Sequence, residues 1–191
     1  MKDVLAYCGA LLVMLSSLPY IIDILRHRSK PNIVTWLVWT ILTGIACAAA
    51  FAGHETRTAL FTLGSTFGTA AIVLLGIRHG IAKFSLFDIC CLLGALAGLV
   101  LWQVFNSPTI GIVVPVIIDF VGLLPTLKHS WQRPHEETWL TYFIDIVAPL
   151  FTIASLNHFN TVSLLYPAYI FFADLAVLWV LAIRHSQVAA D

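Results

Sequence analysis

The sequence is poor in charge. Only 10% of its 191 residues are Asp, Glu, Lys or Arg, whereas 60% are hydrophobic. A water-soluble domain carries roughly a quarter of its residues as charges, so this chain lacks the material for an aqueous surface and its exterior must face lipid. The formal net charge is zero, which removes the basic footprint that a nucleic-acid partner needs. Cys8, Cys47, Cys90 and Cys91 form no Cys-x-x-Cys spacing and all lie in apolar runs. Neither a disulfide framework nor a thiolate metal centre is expected from them, and the adjacent Cys90 and Cys91 have poor geometry for a redox pair. All seven histidines fall at helix ends or in loops, which leaves a haem inside the bundle without ligands. The last apolar run has no lysine for a retinal Schiff base. With no nucleophile–base pair or metal cluster evident, the sequence predicts neither an enzyme nor a bound cofactor.

What the chain has is long apolar runs. Crossing the hydrocarbon takes roughly 20 apolar residues in a helix, and such runs occupy 4–23, 33–53, 58–77, 86–105, 110–127, 138–156 and 161–183. The first follows Lys2 as a signal peptide would, but it lacks a small-x-small cleavage site and is expected to be a mature helix. Seven crossings put Lys2 and Arg57 on one side and the other eight of the ten Lys and Arg residues on the opposite side. The positive-inside rule assigns the eight to the cytoplasm, so the N-terminus is expected outside and the C-terminus inside, with the inner membrane of a bacterium as the expected location.

An internal repeat organises these runs. Pro19, Thr35-Trp36-Leu37 and Ile77-Arg78-His79 recur in the same order as Pro125, Thr138-Trp139-Leu140 and Ile183-Arg184-His185. The two prolines are 106 residues apart, as are the two arginines, and the tryptophans are 103 apart. The sequence therefore predicts an all-α integral membrane protein of seven transmembrane helices. Residues 1–83 and 107–191 form two parallel three-helix repeats, and 84–106 form a linker helix between them. Each repeat is expected to end its first helix at a proline, Pro19 or Pro125, ahead of a basic loop.

This 3+1+3 plan, with a proline near the cytoplasmic end of the first helix of each half, resembles the SWEET and PQ-loop transporter superfamily. KDEL receptors, lysosomal cystine and amino-acid exporters, and nicotinamide riboside transporters are among its relatives. The resemblance covers essentially the whole chain at the level of plan. The family's Pro-Gln dipeptide is replaced by Pro19-Tyr20 and Pro125-Thr126, and Trp36-x-x-Trp39 is similar to a pair in the nicotinamide riboside transporters. The resemblance implies alternating access of the two halves, with Pro19 and Pro125 as hinges near the cytoplasmic gate.

Candidate chemistry lies within the runs, where polar groups are costly. Asp119, Asp145 and Asp174 fall on the fifth, sixth and seventh runs, each on the order of 10–14 Å from the cytoplasmic end of its helix. No lysine or arginine shares that depth, so at least one of the acids is expected to carry a proton. By the repeat spacing their first-half counterparts are Val13, Leu42 and Gly68, which makes the acidic site one-sided. Thr138, Thr141, Tyr142, Asp145, Pro149 and Thr152 form one polar stripe at helical spacing, as do Pro115, Asp119, Gly122 and Thr126. Ser163 and Pro167 share the face of Asp174, with Tyr166 off to one side. In the first half, Trp36, Trp39, Thr40, Thr43 and Cys47 align, and so do Thr62, Ser65, Thr66 and Thr69. Such stripes either line a cavity or glue helices together. Trp36 and Trp139 fit either an interfacial belt or a stacking platform, and Gly64/Gly68 and Gly94/Gly98 read as close-packing pairs.

These features predict a small-solute transporter for a neutral or cationic solute, open to proton coupling. Asp119, Tyr142, Asp145, Asp174, Trp39, Thr43 and Thr66 are the expected solute- or proton-binding residues. The alternative is a non-transporting membrane receptor or scaffold of the same fold, in which the acids set packing. The expected partners are the lipid bilayer and a small molecule. A homo-oligomer is left open but is not required, because one chain carries both halves.

Overall fold

The computed structural model describes residues 1–27, 33–79, 85–134 and 137–188. Arg28, Lys30 and Lys83, counted above in the basic loops, lie outside the described residues, as do the side chains of Pro125 and His185. The chain folds into α1 (Lys2–Leu15), α2 (Ser17–Leu25), α3 (Ile33–Ala52), α4 (Thr56–His79), α5 (Leu86–Phe105), α6 (Pro108–Gln132), α7 (Trp139–Ser155) and α8 (Thr161–Val188). Six stretches are long and apolar enough to cross a membrane: α1 with α2, α3, α4, α5, α6, and Thr161–Arg184 of α8. The apolar helix α7 is shorter, at 17 residues. Large apolar side chains, among them Leu74, Leu93, Val104, Phe172 and Trp179, point outward. That exterior and those helix lengths make the chain an all-α integral membrane protein.

Local chemistry sets several helix ends. Ser85 and Asp88 form a reciprocal capping box at the start of α5, each side chain accepting from the other's backbone N–H. Asn160 and Ser163 do the same ahead of α8. Asn106, in the left-handed region at φ 46°, ends α5, and Pro108 opens α6 at a position where its missing N–H costs nothing.

Neither repeat proline ends its helix. The first pass breaks at Ser16, three residues before Pro19, and then continues to Leu25. A proline has no N–H to give to the carbonyl four residues back and its ring crowds that carbonyl, so the disruption falls one turn upstream. There the hydroxyls of Ser16 and Ser17 donate to the carbonyls of Val13 and Met14 at 2.8 and 2.7 Å. Residue 125 falls inside α6, which runs on to Gln132 and carries Lys128 within the helix. The expected helix ends at Pro19 and Pro125 are thus corrected to a break at Ser16 and to an uninterrupted α6.

Packing order follows a simple pattern. α4 lies between α1–α2 and α3, and α8 lies between α7 and α6; among the described residues the backbones of α1 and α3 do not approach closely, nor do those of α6 and α7. Two seams, α1 against α7 and α3 against α6, close these six passes into a ring, and α5 packs outside it on α6 and α3. Small residues allow the close approaches. A Cβ on Gly64 would run into the Ala10 carbonyl across α1–α4, and one on Gly98 would run into Val114 across α5–α6. Both glycine pairs therefore work as packing surfaces.

This packing predicts unequal effects from equal substitutions. Gly64→Ala forces backbone apart and is expected to cost about 1–3 kcal/mol, whereas Gly44→Ala meets only the Thr66 methyl at 4.0 Å. Thermal unfolding in detergent should show a clear loss of Tm for the first variant and little change for the second.

Candidate functional site

The ring of helices encloses a cavity of about 1030 Å³, to which α1, α2, α3, α4, α6, α7 and α8 all contribute lining residues. Of the residues expected from the sequence, Asp119, Tyr142, Asp145, Asp174, Trp39 and Thr43 line it. Thr66 is not among the lining residues. Its hydroxyl bonds the Thr43 hydroxyl at 3.0 Å and the Thr62 carbonyl at 2.8 Å, tying α4 to α3. The polar stripes thus divide: Thr43, Ser65 and Thr69 face the cavity, while Thr62, fully buried, bonds within its own helix.

The three membrane-depth acids come together from three different helices, α6, α7 and α8, on one wall. Asp145 Oδ1 and the Tyr169 hydroxyl are shielded from solvent and meet no partner among the described residues in good hydrogen-bonding geometry, although Tyr169 lies near Asp119 and Asp145 near Ser16. An unpaired buried polar atom costs about 1–3 kcal/mol, and the hydroxyls of Thr141, Ser130 and Thr152 share that status, the last two outside the cavity. The opposite wall belongs to the first half and is aromatic. Tyr20 and Trp36 have ring centroids 4.9 Å apart, and Trp36 meets Trp39 edge-on at 4.9 Å and 89°.

Sequence reasoning missed part of this lining. Tyr166, expected off to one side, is 1% exposed and lines the cavity with Tyr169; Ser163, expected on the Asp174 face, is buried at the other end of α8. Asp23 and Glu137 also line it. Neither is singled out by the sequence pattern.

The two ends of the cavity differ. At the end carrying His27, His129, Glu137 and Trp139, lining residues continue to the helix termini. There Tyr142 donates to Glu137 and Thr138 donates to Asp23, each at 2.8 Å. The second of these bonds joins α7 to α2 across the mouth.

The end carrying the N-terminus is shut. The Arg57 guanidinium donates to the Ser155 carbonyl and pairs with Asp3 at 3.0 Å, and Lys2 Nζ donates to the Leu156 carbonyl at 2.7 Å. Glu55 meets His158 at 3.0 Å and accepts from Asn160, and Thr58 donates to the Ser163 carbonyl at 2.6 Å. The carbonyls at the C-terminus of α7 lack helical partners and carry the negative end of its dipole. Two cations, Lys2 of α1 and Arg57 of α4, cap them. Close packing backs this latch: a Cβ on Gly9 would overlap Thr152 of α7, and one on Gly111 would press on Ala49 and Trp102.

A smaller cavity of about 400 Å³ lies beside α5, between α3 and α6, and shares Thr35, Trp39, Thr126, His129 and Glu137 with the main one. Among the described residues, no group of His, Cys, Asp and Glu is placed to hold a metal ion. No family model matches this sequence, and neither a curated protein nor a solved structure matches it.

The latch makes a direct prediction. In a chain whose native cysteines are replaced, a cysteine at Ser65 should react with a membrane-impermeant maleimide from the open end. Adding Arg57→Ala is expected to raise its reaction from the shut end by about tenfold, the equivalent of roughly 1.4 kcal/mol in the open–shut balance. Equal rates with and without Arg57 would remove the latch from the account.

Proposed function

We propose that this chain is a small-solute membrane transporter that works by alternating access of two three-helix halves. The observation that carries the proposal is a cavity between the halves that is open at one end and shut at the other by bonds made between them. A channel would need both ends open together. A packed structural core would leave no such space. α1–α4 and α6–α8 form the halves, each with its third helix in the middle, and α5 is the linker. This supports the 3+1+3 plan and the resemblance to the SWEET and PQ-loop superfamily, with seven crossings if α7 spans despite its length. At about 1.5 Å per residue α7 covers roughly 25 Å, which tilt-free crossing of a locally thin bilayer accommodates.

In this reading the basic-loop end faces the cytoplasm and the cavity is open inward. Lys2 and Arg57, the two cations of the outer side, hold the outer end closed. Outward opening breaks their bonds to the end of α7, and the kink at Ser16 and Pro19 lets α1 and α2 move separately. The solute binds among Tyr142, Asp119, Asp145 and Asp174. A proton on one of these acids can be exchanged for the solute or carried with it.

Proteoliposome flux tests the proposal. Asp145→Asn and Asp174→Asn, made separately, are each expected to cut solute flux by about tenfold or more while leaving the melting temperature within a few degrees. Lowered stability with unchanged flux would instead favour a structural role for the acids.

A further inference from the structure

The cavity's chemistry is lopsided. Among the described lining residues there are five carboxylates, Asp23, Asp119, Glu137, Asp145 and Asp174, and no lysine, arginine, asparagine or glutamine. A neutral polyol would find groups that both donate and accept only in the lining hydroxyls, of which Tyr142, Thr138, Thr43 and Thr69 already donate to protein oxygens. An anion would meet five carboxylates against two imidazoles, His27 and His129, both at the open end and the second already 3.9 Å from Glu137. A positively charged solute supplies what the wall lacks: charge compensation for the acids and a donor for Asp145 Oδ1, which meets none in good geometry.

The facing wall decides which kind of cation. Tyr20, Trp36 and Trp39 form a corner in which the last two rings stand at 89°, and ring faces attract cations that shed their water easily. Inorganic divalent ions shed water reluctantly and want a compact oxygen cage, whereas no metal-holding group occurs among the described residues. A chamber of about 1030 Å³ is also of the size that takes a whole organic molecule.

We infer that the solute is an organic cation, a positively charged nitrogen on an apolar body, held between the acids of the second half and the aromatic corner of the first. The inference rests on the transport reading for its purpose, but the binding it describes stands independently. Contact with both halves at once also gives the solute a means to bias their relative position, since a ligand shifts a conformational balance only through different contacts in the two states.

The test is binding to the purified full-length chain in nanodiscs, followed by tryptophan fluorescence and calorimetry. The probes are choline, benzyltrimethylammonium and phenethylammonium. The controls are 3,3-dimethylbutanol, which has the shape of choline without its charge, and glucose. Saturable binding is expected for at least one cation. It should weaken by about tenfold or more in Asp174→Asn and in Trp36→Ala and recover in Asp174→Glu, which keeps the charge. Binding of none of the three cations, or equal binding of choline and 3,3-dimethylbutanol, would overturn the inference. Flux separates the two claims. Cation binding without any flux in proteoliposomes removes the transport reading and leaves the cation site standing. Flux of glucose with no cation binding does the reverse.

Discussion

A bilayer offers no water to a polar side chain, so every such group on a spanning helix must turn toward other helices. The rest of this structure depends on that constraint. Threonines, tyrosines and three aspartates are spread over six passes, and turning them all inward creates a polar interior that the ring of helices must either fill or leave hollow. Where the helices approach through Gly9, Gly64 and Gly111 it is filled. Where tryptophans, tyrosines and aspartates keep the helices apart it is hollow, and the hollow opens at one end.

The same constraint explains why the shut end is polar. The C-terminus of α7 leaves carbonyls that no helix can satisfy, and at that end the helices are too close for a water-filled gap. Arg57 and Lys2 reach those carbonyls from the opposite half. Bonds of this type are strong while water is excluded and exchangeable once it enters, which is the behaviour required of a latch rather than of a permanent joint. The cavity wall combines an aromatic corner from α2 and α3 with Asp119, Asp145 and Asp174 from α6, α7 and α8, and both sides add to the mixture, Asp23 from α2 and Tyr142, Tyr166 and Tyr169 from α7 and α8.

Much of this was legible in the residues. The all-helical, membrane-spanning character and the placing of Asp119, Asp145 and Asp174 on three separate helices follow from hydropathy, because both are properties of one helix at a time. Six of the seven expected binding residues line the cavity for the same reason. What depends on two helices together was not legible. Thr43 and Thr66 look alike in sequence, yet one faces the hollow and the other holds α4 to α3, because the stripe spans both the contact and its edge. Tyr166 sits at the margin of the Asp174 face and reaches the cavity through the length of its side chain. The helix end was expected at Pro19 because the proline is what the sequence displays; the break between α1 and α2 falls three residues earlier, at Ser16, whose own N–H still bonds the Leu12 carbonyl. Asp23, the last residue of the first apolar run, and Glu137, at the end of the loop before the sixth, were not singled out.

The central claim is that the shut end opens as the halves move. Pulsed electron paramagnetic resonance tests it most directly, with spin labels at His54 and Phe159, two exposed positions on opposite halves of that end. The account predicts two distance populations in lipid, a short one for the latched state and a longer one, with the balance shifting toward the longer in Arg57→Ala. A single short distance in both proteins, whatever solute is added, would contradict it.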